Sequence, residues 1–467
     1  MIERKPSLIN LAYTRFVYPL VEPRAYRGLS NRADYYLRLE SDSQADNAER
    51  QWKALREMLQ HAYDSTPFYR RRLEQAGLRP QEIASPEQLK QIHPLTREDI
   101  RNNLDDLWSR RYRKQDLLPA ATGGTTDVPV PLLRSIKAVR QKAAVHSRFN
   151  AWAGMMPGDK VFYLWGAVSD FASNPSWRWR AYERYLMRRV WAPTSLFNEQ
   201  VLAGYLEQLN HFQPRVIYAY PTPLALFCEF LRDAGKPFHR PATAICTAEP
   251  LLAEQRDLIE STLQCRVFEL YGSREFGMIA GDCEHGKLHL NPFAAYVEFI
   301  PMEGATDGLC ELVVTDLLNY GMPLIRYRIN DCAVPITEKC PCGRGYAVLG
   351  AVSGRTADNF KLPSGNVVPG VSLTNRVIKT CPGLKKIQIV QDSLSEFRVR
   401  YVPSSSFSAA DLRSLHLKMA EFFGQSVRCE FESVADIQRE GSGKTRFCVS
   451  HVGNGQVSAV SVNGLNK

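Results

Sequence analysis

No stretch of this 467-residue chain approaches the ~18 consecutive apolar residues that a membrane-crossing helix requires. The amino-terminal MIERKPSLINLAY sets Glu3 among its basic residues and lacks both a sustained apolar core and a small-residue cleavage site, so it makes a poor signal peptide. A cytoplasmic location follows as the default. A disulfide framework is missing as well: the eleven cysteines are odd in number and scattered along a long chain, which fits reduced and mostly buried thiols. Low-complexity tracts and internal repeats are absent, and the 44% apolar and 23% charged content exclude disorder as the dominant state. Acidic residues fall short of basic ones, 49 against 59, for a formal charge of +10. That surplus favours polyanions, anionic lipid surfaces or phosphate-bearing substrates, with a solvated basic surface as the plainer reading.

What is present points to an α/β protein of more than one domain, because a single core rarely serves so long a chain. The stretch to about Asn103 reads as a helical leader: Trp52, Leu55, Leu59 and Ala62 fall near helical spacing, Gly77 offers a stop, and ThrArgGluAsp after Pro94 opens another short helix. From Asp159 to His289 the short apolar runs KVFYLW, RVIYAY, ATAICT and RVFELY alternate with helical segments, among them Leu224 to Ala234 and Ala253 to Leu263. Such alternation predicts a largely parallel sheet with helices packed on it. Beyond Asn291, YVEFI and LCELVVTDL predict antiparallel or barrel-like structure. After Asp358, the strands KKIQIVQD, EFRVRYV and VRCEFES around a helix from Ala409 to Phe423 predict a small α+β domain. The expected boundaries are 1–357 for the large domain with its leader at 1–103, 358–452 for the small one, and a frayed tail at 453–467.

Two glycines and three threonines make AlaThrGlyGlyThrThrAspValPro, at 121–129, a loop able to wrap phosphate oxygens through free N–H groups and hydroxyls. It is no Walker A loop, since no Gly-Lys-Ser/Thr closes it, and alone it could equally be a turn between helices. Further on, CysThrAlaGluPro (246–250) and TyrGlySerArgGluPheGly (271–277) each follow an apolar strand, where ligands gather in α/β sheets. ProLeuIleArgTyrArgIleAsnAsp (323–331), GlyArgThrAlaAspAsnPheLys (354–361) and ArgGluGlySerGlyLysThrArg (439–446) follow in order. This ordered set, with HAYDSTPFYRRRLEQAGL and PLTREDIRNN before it, resembles the adenylate-forming superfamily, and within it the phenylacetate–CoA ligase-like and CapK-like branch.

The resemblance implies a large multi-sheet AMP-binding domain carrying a small mobile lid. It further implies an ATP-dependent, AMP-forming acid ligase that uses magnesium to make an acyl-adenylate and then a thioester with CoA. Thr122, Gly123, Gly124, Thr125 and Thr126 would hold the ATP phosphates, although Asp127 and Val128 stand where the branch usually has glycine and lysine. Ala248, Glu249 and Pro250 would line the nucleotide site, Tyr271 would pack on adenine, and Gly272 and Ser273 would lie beside the acyl carboxylate. Glu275 would bind Mg2+, with Arg274 in place of the usual threonine before it. Asp331 would accept from the ribose hydroxyls with Arg355 beside it, and Asn330 replaces the glycine expected there. Asp358 would be the hinge, and Lys444 would reach the transferring phosphate from the lid. Trp165, Gly166 and Tyr220 fall in segments resembling the acyl pocket.

Cys283 with His289 or His285, and Cys340 with Cys342 some fifty residues on, could make a structural Cys3His zinc site, His289 being favoured by the family's pattern at LysLeuHisLeu and Cys332 being a spare candidate. Buried unliganded cysteines are the alternative. The stretch Trp177 to Trp191 interleaves arginines with aromatics; it reads as an amphipathic helix with its arginines in water, or as a surface for a membrane, a lipid-linked acceptor or CoA phosphates. No nucleic-acid module accompanies it. Other function classes stay open: a CapK-like enzyme passing its acyl group to an amine, a catalytically silent scaffold of the same fold, and a zinc-containing basic binding module.

Overall fold

The computed structural model describes residues 4–21, 28–121, 130–165, 176–194, 199–302, 308–353, 359–364, 367–369, 381, 383–424, 427–437 and 448–452. These divide into two compact units, one ending at 352 and the other beginning at 353.

In the first unit, β1 (Leu118–Ala121) and β2 (Pro131–Arg134) pair as an antiparallel ribbon. The main sheet begins with β3 (Val161–Leu164), β4 (Arg189–Ala192), β5 (Val216–Ala219), β6 (Thr243–Thr247) and β7 (Arg266–Ser273), all mutually parallel. Both faces of this half are covered. Phe162, Leu164, Ile217, Ala219, Ala244 and Cys246 meet the helices Glu199–Phe212, Pro221–Ala234 and Ala253–Leu263. Val161, Val216, Tyr218 and Ile245 meet Val145, Phe149 and Trp152 of the helix Ile136–Trp152. A strand buried on two faces needs apolar residues at every position, which is why these segments read as continuous apolar runs.

The same sheet continues antiparallel through β8 (Gly277–Asp282), β9 (Leu288–Leu290), β10 (Ala295–Pro301), β11 (Cys310–Asp316), β12 (Tyr327–Ile336) and β13 (Val348–Ser353), in the order β10-β11-β12-β13-β9-β8-β7-β6-β5-β3-β4. The change of direction thus falls at β8, before Asn291. Four strand steps separate β12 from β7, about 19 Å in a flat sheet. Yet the Tyr271 hydroxyl on β7 donates to Asp331 Oδ2 on β12 at 2.7 Å, so this half curls back toward a barrel.

The leader packs on that curl. Ser43 caps the helix Gln44–Ser65, Thr66 precedes Pro67–Gln75, and Thr96 caps Arg97–Asn102 with Asp99 completing a capping box. Leu55, Met58, Leu59, Phe68, Tyr69 and Leu73 share a core with Ile279, Leu312, Val314, Leu324 and Tyr327. The leader is also tied by polar bonds: Leu95 N–H donates to Arg326 O at 2.8 Å, and Arg328 N–H to Leu95 O at 2.9 Å. The Arg326 guanidinium, 3% exposed, pairs with Glu298 at 2.9 Å and donates to the Lys90 and Ile92 carbonyls.

One sequence expectation needs correction. The helix begun at Trp177 ends at Leu186, and Arg189–Ala192 forms the edge strand β4 instead of a further helical turn. Arg188 makes the break with φ of 57°. Trp191 then stacks on Tyr163 at 4.2 Å between ring centroids, a cross-strand contact that a helix would not allow.

In the second unit, β14 (Asn359–Lys361) and β15 (Val367–Pro369) pair as a short ribbon. β16 (Leu384–Gln391) and β17 (Glu396–Pro403) form a hairpin flanked by β18 (Arg428–Ser433) and β19 (Cys448–Ser450). The helix Ala409–Phe423, capped by Ser408, is the crossover between the parallel strands β17 and β18. Its Leu415, Met419 and Phe423 pack on Ile387, Ile389, Phe397 and Val399. This is the α+β arrangement the sequence predicts.

Glu298→Ala would leave the Arg326 charge buried without its carboxylate. The expected loss is about 3–5 kcal/mol of stability of the large unit, read as a lowered urea midpoint.

Candidate functional site

Because β3, β5, β6 and β7 are parallel, the residues just after them share one edge of the sheet. Trp165 follows β3, Tyr220 follows β5, and Ala248, Glu249 and Pro250 follow β6, while Gly272 and Ser273 close β7. Trp165 and Tyr220 lie against each other with ring centroids 4.4 Å apart. Ala248 takes φ of 70°, so the chain bends sharply there and carries Glu249 inward, where its Oε2 accepts from Thr222 N–H at 3.3 Å.

The turn from β7 to β8 brings Ser273 opposite Gly277. A Cβ at Gly272 would stand 2.4 Å from the Gly277 carbonyl oxygen, so only glycine fits. Ser273 Oγ accepts from Phe276 N–H at 3.2 Å, and Arg274 projects into solvent. Glu275 is 6% exposed and its Oε1 accepts from the Tyr327 hydroxyl at 3.3 Å. Tyr271 lies close enough to feel both acids. Burial first, and then the Asp331 and Glu275 carboxylates, push its phenol well above the ordinary range and keep it a donor.

Asn330, beside Asp331, adopts φ of 65°. The resemblance expects glycine at this position, and the left-handed backbone explains both residues, since asparagine is the side chain that best tolerates it. The substitution preserves the local turn.

Several residues of this region carried no signal in the sequence reading. Lys142 Nζ donates to the Glu275 carbonyl at 2.9 Å and pairs with the fully buried Asp316 at 2.5 Å, while Asp316 Oδ1 accepts from the Leu318 and Asn319 N–H groups. His146, on the same helix as Lys142, lies 3.0 Å from the Tyr218 hydroxyl, and burial lowers its pKa to about 4. The acid in LCELVVTDL was the available clue to Asp316: a charge ending an otherwise apolar strand needs a partner.

Thr122, Gly123, Gly124, Thr125, Thr126, Gly166, Arg355, Asp358 and Lys444 lie outside the described residues. The strands bracketing the Gly/Thr loop pair Ala121 with Pro131.

A second constellation sits around β8, β9 and β13, packed beside Trp152 of the helix Ile136–Trp152. Cys283 follows β8, His289 is on β9, and Cys340 and Cys342 precede β13, whose Val348 pairs with His289. Their ligand atoms all lie within 4.8 Å of one another. Cys283 Sγ is 3.6 Å from Cys340 Sγ, and Cys342 Sγ is 3.4 Å from His289 Nε2. These match the edges of a tetrahedron around zinc, about 3.8 Å between sulfurs and about 3.6 Å from sulfur to nitrogen. His289 Nδ1 faces the Tyr346 carbonyl at 3.3 Å, which places the proton there and leaves Nε2 for the sulfurs. His285 contributes only its N–H, to Cys283 Sγ at 3.3 Å, and Cys332 instead touches Met302. Glu284 and Arg344 bridge the same two loops at 2.6 Å.

Comparison with known proteins fits this geometry. The family model of the CapK C-terminal domain matches residues 361–451. The chain is 24% identical to protein CapK of Staphylococcus aureus over 369 residues, 78% of this chain and 80% of that protein. It is 26% identical to phenylacetate-coenzyme A ligase of Pseudomonas putida over 342 residues, 70% of this chain and 75% of that protein. Among solved structures, a 2-hydroxyisobutyryl-CoA ligase in the postadenylation state in complex with 2-HIB-AMP matches with a TM-score of 0.71 at 20% identity, covering 88% of this chain and 91% of that one. The fold is therefore that of the adenylate-forming CoA ligases. In sequence the chain is similar to CapK and to the phenylacetate-coenzyme A ligases.

If the left-handed backbone is what asparagine serves, Asn330→Gly should hold stability within about 1 kcal/mol, whereas Asn330→Val should cost about 1–2 kcal/mol or more. Paired urea titrations would separate the two.

Proposed function

We propose that this chain is an ATP-dependent, AMP-forming acid ligase. A carboxylate oxygen of the acid attacks the α-phosphorus of ATP and pyrophosphate leaves; the thiol of CoA then attacks the carbonyl carbon of the acyl-adenylate and AMP leaves. The observation that carries the reading is the Tyr271–Asp331 hydrogen bond at 2.7 Å, with the buried Glu275 beside it at the carboxyl ends of the parallel strands. That bond fixes an aromatic face and a carboxylate together, which is what an adenine ring and its ribose hydroxyls require.

In this reading Asp331 and Arg355 hold the ribose, and Ala248, Glu249 and Pro250 line the nucleotide site. Thr122, Gly123, Gly124, Thr125 and Thr126 hold the phosphates. Glu275 is a hard oxygen ligand suited to Mg2+, which supplies charge neutralisation at the phosphates when bound. Its placement is set from behind, because Lys142 holds the Glu275 carbonyl and Asp316 holds Lys142. Lys142 is thereby committed to positioning, and Lys444 is the cation assigned to the transferring phosphate. Trp165, Gly166 and Tyr220 border the acid, and the Trp165–Tyr220 pair suits a flat or compact one. Gly272 and Ser273 lie beside its carboxylate. We place the enzyme in the cytoplasm, where ATP and CoA are available.

A second reading keeps the adenylation step and hands the acyl group to an amine. Its ground is the similarity to CapK, whose C-terminal domain model matches residues 361–451. A catalytically silent scaffold loses one of its grounds, because Asn330 suits the backbone it occupies. The Cys283, His289, Cys340 and Cys342 cluster fits a structural Zn2+, whose four protein ligands leave no position open for chemistry.

Pyrophosphate release measured over a panel of acids, with and without CoA, tests the ligase reading. At least one acid should drive release, and Lys444→Ala should lower it by about 100-fold or more. Should no acid raise release above the Lys444→Ala level, the ligase reading is wrong. Zinc is tested separately by metal analysis of the purified protein: about one zinc per chain is expected, with Cys340→Ser losing the metal and lowering the thermal midpoint.

A further inference from the structure

The helical segment over 8–21 is mounted the wrong way round for one that faces water. Its buried positions are Asn10 and Tyr13, and both are held by polar bonds. Asn10 Nδ2 donates to the Pro157 carbonyl at 2.9 Å and to Asp159 Oδ1 at 3.1 Å, Arg4 pairs with Asp159 at 2.6 Å, and the Tyr13 hydroxyl donates to the Leu186 carbonyl at 2.7 Å. The apolar side chains point outward instead: Leu8 is 84% exposed, Phe16 64% and Leu20 86%, with Ile9 and Leu11 exposed beside them. A water-facing helix buries its apolar stripe, so this one is built for a covering.

Leu186, which accepts from Tyr13, belongs to the second such helix, Trp177–Leu186, on which Trp177 is 74% and Tyr185 72% exposed. Of the fourteen large apolar side chains exposed among the described residues, nine lie on these two adjoining segments, so the patch is a local feature and not the scatter of an ordinary surface. Its charge is predominantly positive. Residues 4–21 and 176–189 carry eight basic side chains and a single acid, Glu183, which accepts from the Trp191 indole. Arg15 lies against the Phe16 ring and Arg178 against Trp177, cation beside aromatic.

We propose that these two helical segments form a docking face for an anionic phospholipid surface. Phe16, Leu20, Trp177 and Tyr185 enter at the headgroup boundary, and Arg15, Arg178 and Arg180 meet the lipid phosphates. No helix among the described residues is long and apolar enough to cross a membrane, so the attachment is peripheral. Charge selects this occupant over a second copy of the chain, since an isologous pairing would set two basic patches against each other. The inference does not depend on the ligase reading.

The test is co-sedimentation of the full chain with vesicles of equal parts phosphatidylcholine and phosphatidylglycerol, set against vesicles of phosphatidylcholine alone. Binding should require the anionic lipid and weaken as salt rises. Phe16→Asp with Leu20→Asp, and separately Arg178→Glu with Arg180→Glu, should each lower partition by about ten-fold or more. Circular dichroism and thermal midpoint should stay unchanged, because all four side chains are exposed. Absence of binding, equal binding to neutral vesicles, or variants that bind like the wild type would each overturn the proposal. So would a wild-type dimer in sedimentation velocity that the same variants break, which would make a second copy the occupant.

Discussion

The tight reversal between β7 and β8 is the constraint on which the large unit turns. Up to Ser273 the strands of the sheet run parallel to their neighbours; from Gly277 the chain turns back, and β8 and β9 pair antiparallel. The closure depends on a missing side chain, since any Cβ at 272 would collide with the Gly277 carbonyl. Once the chain reverses there, Glu275 is presented at the tip of the turn, and the strands that follow are free to curl until Asp331 meets Tyr271. Fold and candidate site therefore share one local requirement.

The buried ion pairs act on placement more than on net stability. Lys142–Asp316 joins a helix to the end of β11 while gripping the Glu275 carbonyl, and Arg326–Glu298 joins β10 to the start of β12 while gripping the leader. Arg148–Glu40, with the Trp152 indole donating to the same carboxylate, fixes the helix Leu29–Leu39 to the helix Ile136–Trp152. Desolvating two charges costs about what their attraction returns, so an apolar pair of equal volume would hold these places nearly as firmly. What the ion pairs add is direction: a guanidinium or ammonium has a few productive geometries, whereas an apolar contact can slide.

The parallel half was legible in the sequence because strands buried on both faces must be apolar throughout, and the helix Pro221–Ala234 between two of them carries its stop as Gly235. Glu275, Tyr271 and Asp331 were readable as members of an ordered set of motifs, and the structure brings the three together. Lys142 was not readable. Its role rests on Asp316, 174 positions away, and nothing local in a helix of mixed polarity distinguishes it from a solvated lysine. The segment at Arg189–Ala192 was not readable for a related reason: the four residues Arg-Val-Trp-Ala fit a helix surface and a strand edge equally well, and the parallel neighbour β3 decided between them.

Backbone strain accompanies two of the candidate acids. Ala248 and Asn330 hold left-handed conformations, and each immediately precedes an acid that the sequence motifs single out, Glu249 and Asp331. A side chain in that region costs energy that a glycine would not, most plainly at Ala248, which has no polar group with which to compensate. Relaxing either residue to a strand conformation would turn the following carboxylate away from its present partner, Thr222 N–H in one case and the Tyr271 hydroxyl in the other. The same logic applies to Arg326, whose left-handed turn lets its backbone bond to Leu95 while its side chain reaches Glu298. Strain at these three positions is maintained by the packed sheet around them, and in the first two it aims an acid at the edge where the parallel strands end.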